Sequence, residues 1–132
     1  MGRVRFLLDT HTLLWALAEP EKLSPQVHSI LKDPANLPQV STVSLFEIAT
    51  KVRIGKLSCP VSLLENWEFT LARLGASLLP LLGAEAVRAG RWQVEHRDPF
   101  DRLLAAQAYE NNLCLLSRDQ AFSQFKDLNV MW

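Results

Sequence analysis

Five of the fourteen acidic residues, Asp9, Glu47, Asp98, Asp101 and Asp119, stand where an apolar stretch gives way to a helical pattern. In open α/β sheets those junctions lie beyond the carboxyl ends of the strands, where sites form. Carboxylates converging on one small volume repel one another unless protons or a cation offset the charge. A hard divalent cation is the natural partner. Mg²⁺ takes oxygen ligands, keeps several waters, and is held by one or two carboxylates together with substrate phosphate oxygens. The chemistry indicated is metal-assisted phosphoryl-ester chemistry.

The five acids carry this reading unequally. Asp9 follows Leu7-Leu8 directly, which puts a charge at the active edge of a sheet. Asp98-Pro99 reads as a helix cap followed by proline at the first helical position, so Asp98 is either a cap or a ligand. With the cap assigned, Asp101 is hard to explain as a second one. Glu47 lies between apolar Leu45-Phe46 and Ile48-Ala49, and Asp119 follows Ser117-Arg118, a sequence also ordinary in loops.

Other features weigh less. The cluster Lys51, Arg53 and Lys56 could meet phosphates but reads first as a solvated helix face. His11, His28 and His96 have no mutual spacing for zinc, although His11 is two residues from Asp9 and could touch substrate. Neither of the glycine-rich phosphate-binding motifs occurs, which argues against a nucleotide triphosphatase or a dinucleotide enzyme. Cys59 and Cys114 suit neither a zinc knuckle nor a disulfide framework, and a reducing cytosol is the default.

The positioning elements alternate along the chain. Strands are expected at Val4–Leu8, Pro38–Val43, Ala76–Leu82, Leu113–Leu116 and Leu128–Trp132. Between them lie helices over Thr10–Ala18, from Ser24-Pro25 to Asp33, after a Ser44 cap, and over Val61–Leu74, Gly83–Trp92, Phe100–Tyr109 and Arg118–Phe125. This order predicts an α/β fold, a mostly parallel sheet of four to five strands flanked by helices. With 132 residues, 48% hydrophobic, no repeat and no linker, the chain is expected to form a single domain over 1–132. No apolar run is long enough to cross a membrane, and neither a leader peptide nor a membrane partner is expected. Fourteen basic residues balance fourteen acidic ones, so any contact with nucleic acid must come from local patches.

Four segments together resemble the PIN-domain ribonucleases, and within them the toxins of VapBC-type toxin–antitoxin pairs. They are Leu7-Leu8-Asp9-Thr10-His11-Thr12-Leu13-Leu14-Trp15, Ser44-Leu45-Phe46-Glu47-Ile48, His96-Arg97-Asp98-Pro99-Phe100-Asp101-Arg102-Leu103-Leu104-Ala105-Ala106-Gln107-Ala108, and Leu116-Ser117-Arg118-Asp119-Gln120-Ala121-Phe122. The resemblance implies a PIN-like fold and an acidic pocket for Mg²⁺ or Mn²⁺ that hydrolyses RNA. It implies Asp9, Glu47, Asp101 and Asp119 as catalytic metal ligands, Asp98 as an additional acid of a subgroup, and Thr10 and Ser117 as polar neighbours. His11 departs from the Asn found in many relatives. A cytoplasmic endoribonuclease toxin follows, homodimeric and inhibited by a cognate VapB-type antitoxin that docks in a groove of this chain, for which Leu14, Trp15, Leu45 and Phe46 are candidates, with ordinary core packing the competing assignment for each. The competing readings are a catalytically silent binding module on the same fold and a metal-binding receiver-like signalling domain.

Overall fold

A computed structural model describes residues 4–132; Met1 to Arg3, where the expected absence of a leader is partly read, lie outside the described residues. Five short strands, β1 (Phe6–Leu8), β2 (Pro38–Ser41), β3 (Ser77–Leu79), β4 (Cys114–Leu116) and β5 (Val130–Met131), form one sheet in the order β3-β2-β1-β4-β5. Every neighbouring pair is parallel, with Leu8 level with Val40 on one side and Leu116 on the other. The connections are α1 (Thr10–Ala18), α2 (Pro25–Lys32), α3 (Thr42–Arg53), α4 (Val61–Glu65), α5 (Trp67–Leu74), α6 (Gly83–Arg91) and α7 (Pro99–Glu110), with 3₁₀ turns at Pro20–Lys22 and Gln120–Gln124.

The central strands are apolar on both sides because helices cover both. Phe6, Leu8, Val40 and Leu116 join one core with Leu13, Val27, Ile48 and Leu71. Leu7 and Leu115, one residue out of phase, join a second core with Leu104, Ala105, Ala108 and Phe122. This is the alternation a strand imposes on its side chains. The chain reverses direction across the sheet between β1 and β4, and this switch point is where a crevice opens in doubly wound sheets.

Several boundaries differ from expectation, each for a local reason. The second strand ends at Ser41 and α3 begins at Thr42, because the Ser41 hydroxyl accepts the Val43 N–H at 2.9 Å and caps the helix. Ser44 is therefore not the cap but a buried residue inside α3, and Glu47 lies past the first turn. The predicted helix Val61–Leu74 is broken at Asn66, whose φ of −143° is not helical, and Thr70 Oγ1 bonds the carbonyls of Ser62 and Asn66 at 3.0 and 2.9 Å. The strands are shorter than expected. Leu113 gives its N–H to Ala108 of α7, so β4 starts at Cys114, and its partner β1 starts at Phe6, leaving Val4 exposed. Arg118–Phe125 reduces to the 3₁₀ turn at Gln120–Gln124, capped by Asp119.

Candidate active site

Asp9 is the first residue beyond β1, and Ser117 the first beyond the paired strand β4. The Asp9 N–H bonds Leu116 O, and its Oδ1 accepts the Thr12 N–H at 2.8 Å, so the acid caps α1 while sealed between two strands. Only 5% of Asp9 is exposed. Burial raises its proton affinity above the usual carboxylate range, against the opposing hydrogen bonds from Ser117 and Thr12. The Ser117 hydroxyl also accepts the Asp119 N–H at 3.0 Å. Asp119 itself is exposed, with Oδ1 accepting Ala121 N–H, and shares a pocket of about 250 Å³ with His11, Trp15 and Arg118.

Glu47 forms the centre of a second group. Its side chain is buried, and the Thr10 hydroxyl, itself beside Ser44 Oγ at 3.0 Å, donates to Oε1 at 2.6 Å. Lys51, one turn along α3, bonds Oε2. The solvated face expected for the basic cluster thus holds for Arg53 and Lys56, which are exposed, but not for Lys51. Across from α3, Asp98 caps α7 by accepting the N–H groups of Phe100 and Asp101 at 2.9 and 3.1 Å. Asp101 faces the same space. Burial, with Asp98 and Glu47 adding repulsion and the His96 hydrogen bond opposing, raises its pKa to about 6.

Two half-sites result, Asp9–Ser117–Asp119 and Glu47–Asp98–Asp101, joined through Thr10, which follows Asp9 in the chain and holds Glu47. By donor chemistry the carboxylates fit a hard cation, since they offer only oxygens and two of them, Asp9 and Glu47, are buried. Among the described residues no three such side chains stand close enough, as arranged, to share one ion. Glu47 has both oxygens engaged.

Two residues of this region carry weight that the sequence reading did not assign. His96 Nε2 lies 2.9 Å from Asp101 Oδ2, with its ring packed near Phe122 and Phe125. Arg102 turns its guanidinium onto the carbonyls of Ala89, Trp92, Val94 and His96 at 2.6–3.2 Å, tying down the segment that presents His96. The spacing of Glu47 and Lys51 was a usable signal for their pair. No comparable periodicity links His96 to Asp101. Of the four apolar residues named for a groove, Leu14 is core and Trp15 and Leu45 pack against it. Phe46 is 65% exposed, with its ring centroid 5.9 Å from that of Phe100.

A parallel sheet with buried acids beyond its central strands is the architecture of an α/β protein that works at a switch point. The PIN domain profile matches residues 6–128, and the chain belongs to that family. Within it the chain is related to the VapC toxins of VapBC toxin–antitoxin systems. It is 29% identical over 116 residues, 86% of each chain, to Ribonuclease VapC22 of Mycobacterium tuberculosis. Its fold matches that of a DNA-bound VapBC from Salmonella typhimurium with a TM-score of 0.72 at 18% identity, covering 98% of both chains. It also matches VapBC2 from Rickettsia felis, crystallised with a DNA fragment from the promoter, with a TM-score of 0.69 at 16% identity, covering 97% of this chain and 98% of that one.

Proposed function

We propose that this chain is a metal-dependent endoribonuclease that serves as the toxin of a type II toxin–antitoxin pair. The single observation that carries the reading is the burial of Asp9 and Glu47 at the switch point, with Asp101 facing Glu47 and its proton affinity raised. An oxygen-only, charge-rich and poorly hydrated set calls for a cation. Bound Mg²⁺ or Mn²⁺ would supply Lewis acidity, making water a better nucleophile at neutral pH and offsetting charge on the leaving oxygen. Asp9 in one half-site, and Glu47 with Asp101 in the other, are the residues that would supply its oxygen ligands, no more than two to one ion as the side chains stand. Asp119, at the rim, would orient water or phosphate, while Asp98 keeps α7 in place as its cap. Thr10 and Ser117 fix the carboxylates by hydrogen bonds, and His96 fixes Asp101.

RNA as the substrate is supported by the kinship with Ribonuclease VapC22. An antitoxin partner is supported by relatives crystallised as toxin–antitoxin complexes. On this reading the protein is a single PIN domain acting in the cytoplasm, where it assembles as a homodimer, and exposed Phe46 belongs to the groove the antitoxin covers. No helix among the described residues is long and apolar enough to cross a membrane.

The test is cleavage of labelled RNA by the purified, antitoxin-free chain with Mg²⁺ or Mn²⁺, with EDTA and Asp9→Asn as controls. Asn keeps the capping oxygen and removes the charge, so the variant is expected to fold and to lose at least about 100-fold in rate. Cleavage undiminished in Asp9→Asn or EDTA overturns the proposal. Absence of cleavage by the folded, metal-loaded wild type assigns the chain to a binding module instead.

A further inference from the structure

Glu47 has no free carboxylate oxygen. Oε1 takes the Thr10 hydroxyl and Oε2 takes the Lys51 ammonium. The side chain of Glu47 is 5% exposed and that of Lys51 33%, so a charge sealed inside the molecule is matched by one whose stem reaches solvent. Lys51 is also drawn electrostatically toward Asp98 and Asp101, and its ammonium lies 6.0 Å from the centre of the Phe100 ring. One cation therefore answers three carboxylates that come from α3 and the start of α7.

We propose that Lys51 is a displaceable internal counter-ion: it holds the acid cluster together in the metal-free chain and leaves Glu47 when a divalent cation enters. This deepens the reading of the cluster as a metal centre and rests on it. An ammonium and a divalent ion bound to the same carboxylate repel each other strongly in a poorly hydrated space. The ammonium is the one able to move, because it sits on a flexible four-carbon stem. Displaced from Glu47, it remains beside the pocket, where it meets an RNA phosphate. Metal entry and substrate binding are thereby coupled, since the same event that admits the cation frees the group that binds the anion.

The experiment is calorimetric titration of Mn²⁺ into the full chain without RNA, comparing wild type with Lys51→Met, Lys51→Gln and Lys51→Arg, with Asp101→Asn as the control expected to lose binding. Lys51→Met and Lys51→Gln are expected to bind Mn²⁺ about 5- to 10-fold more tightly than wild type, the range of a modest coupling between two sites. Lys51→Arg should match wild type. Thermal unfolding supplies the second readout: the neutral variants melt lower than wild type without metal and gain more from Mn²⁺. Binding of a cleavage-resistant single-stranded RNA in the presence of Mn²⁺ should weaken in the same two variants. Equal Mn²⁺ affinity in wild type and the neutral variants overturns the counter-ion role and leaves the metal centre standing. Weaker affinity in those variants overturns it as well, because Lys51 would then support the site rather than compete for it. No Mn²⁺ binding by wild type or by any folded variant overturns the metal centre and the counter-ion role together.

Discussion

Asp101 is the residue whose surroundings most alter its chemistry. Its pKa stands at about 6 in the folded chain against an ordinary 3.8. Between those values the folded state holds a proton that the unfolded state has released, so stability falls as pH rises through that window. Below about pH 4 both states are protonated; above about pH 6 both are ionised and the whole penalty is present. In metal-free protein, Asp101→Asn is therefore expected to be more stable than wild type at pH 7 and to lose part of the decline between pH 4 and 6. Urea denaturation across that range checks it, and parallel curves for the two proteins would refute the assignment. The same logic makes metal binding strengthen as pH rises towards about 6 and level off above it, since cation and proton compete for one carboxylate.

At the scale of elements, α7 and its cap carry Asp101 and Asp98, and the helix is itself anchored at both ends. Asp98 caps its start, Pro99 occupies the first helical position, and Asn112 ends it in the left-handed region with φ of 53°. Its inner face includes Gln107, fully buried, which accepts the Ser41 hydroxyl and so links α7 to the cap of α3. Arg102 extends the anchoring outward by gathering the carbonyls of residues 89–96. Replacing Arg102 by Met keeps much of the apolar stem and deletes the donors. The expected cost is about 2–3 kcal/mol, typical of losing several hydrogen bonds to a charged group. Chemical denaturation measures it, and faster hydrogen exchange in residues 92–96 would place the loss in that segment.

At the scale of the molecule, the balanced charge sets how nucleic acid can be held. Fourteen basic and fourteen acidic residues cancel, and the acids are concentrated at the very site where a phosphate must arrive. Few phosphates can then be contacted, with Lys51 beside Glu47 and Arg118 lining the pocket of Asp119 as cations placed at the two half-sites. Two or three single-strand contacts give a slope of about −1.5 to −2 for log affinity against log salt. Titrating a cleavage-resistant RNA at several salt concentrations measures this slope. A value several times steeper would show a basic surface elsewhere in the assembly, such as one completed by a second copy.

The sequence by itself determined the order of strands and helices, the caps at Ser24 and Asp98, and the placement of Asp9 at a strand end. Each of these follows from rules that act over a few residues: apolar periodicity, proline geometry and the needs of free helix N–H groups. The same rules misplaced the start of α3, because β-branched Thr42 and Val43 read as strand until the Ser41 hydroxyl claimed the helix end. They also missed the break at Asn66. Only the tertiary structure decided which acids share a space, leaving Asp119 at the surface and gathering Glu47, Asp98 and Asp101 about Lys51. It likewise made His96 the partner of Asp101 and Arg102 the organiser of the segment that leads into His96. The physical reason is that desolvation and long-range pairing depend on what the rest of the chain packs around a group, and neither is encoded in the residues beside it.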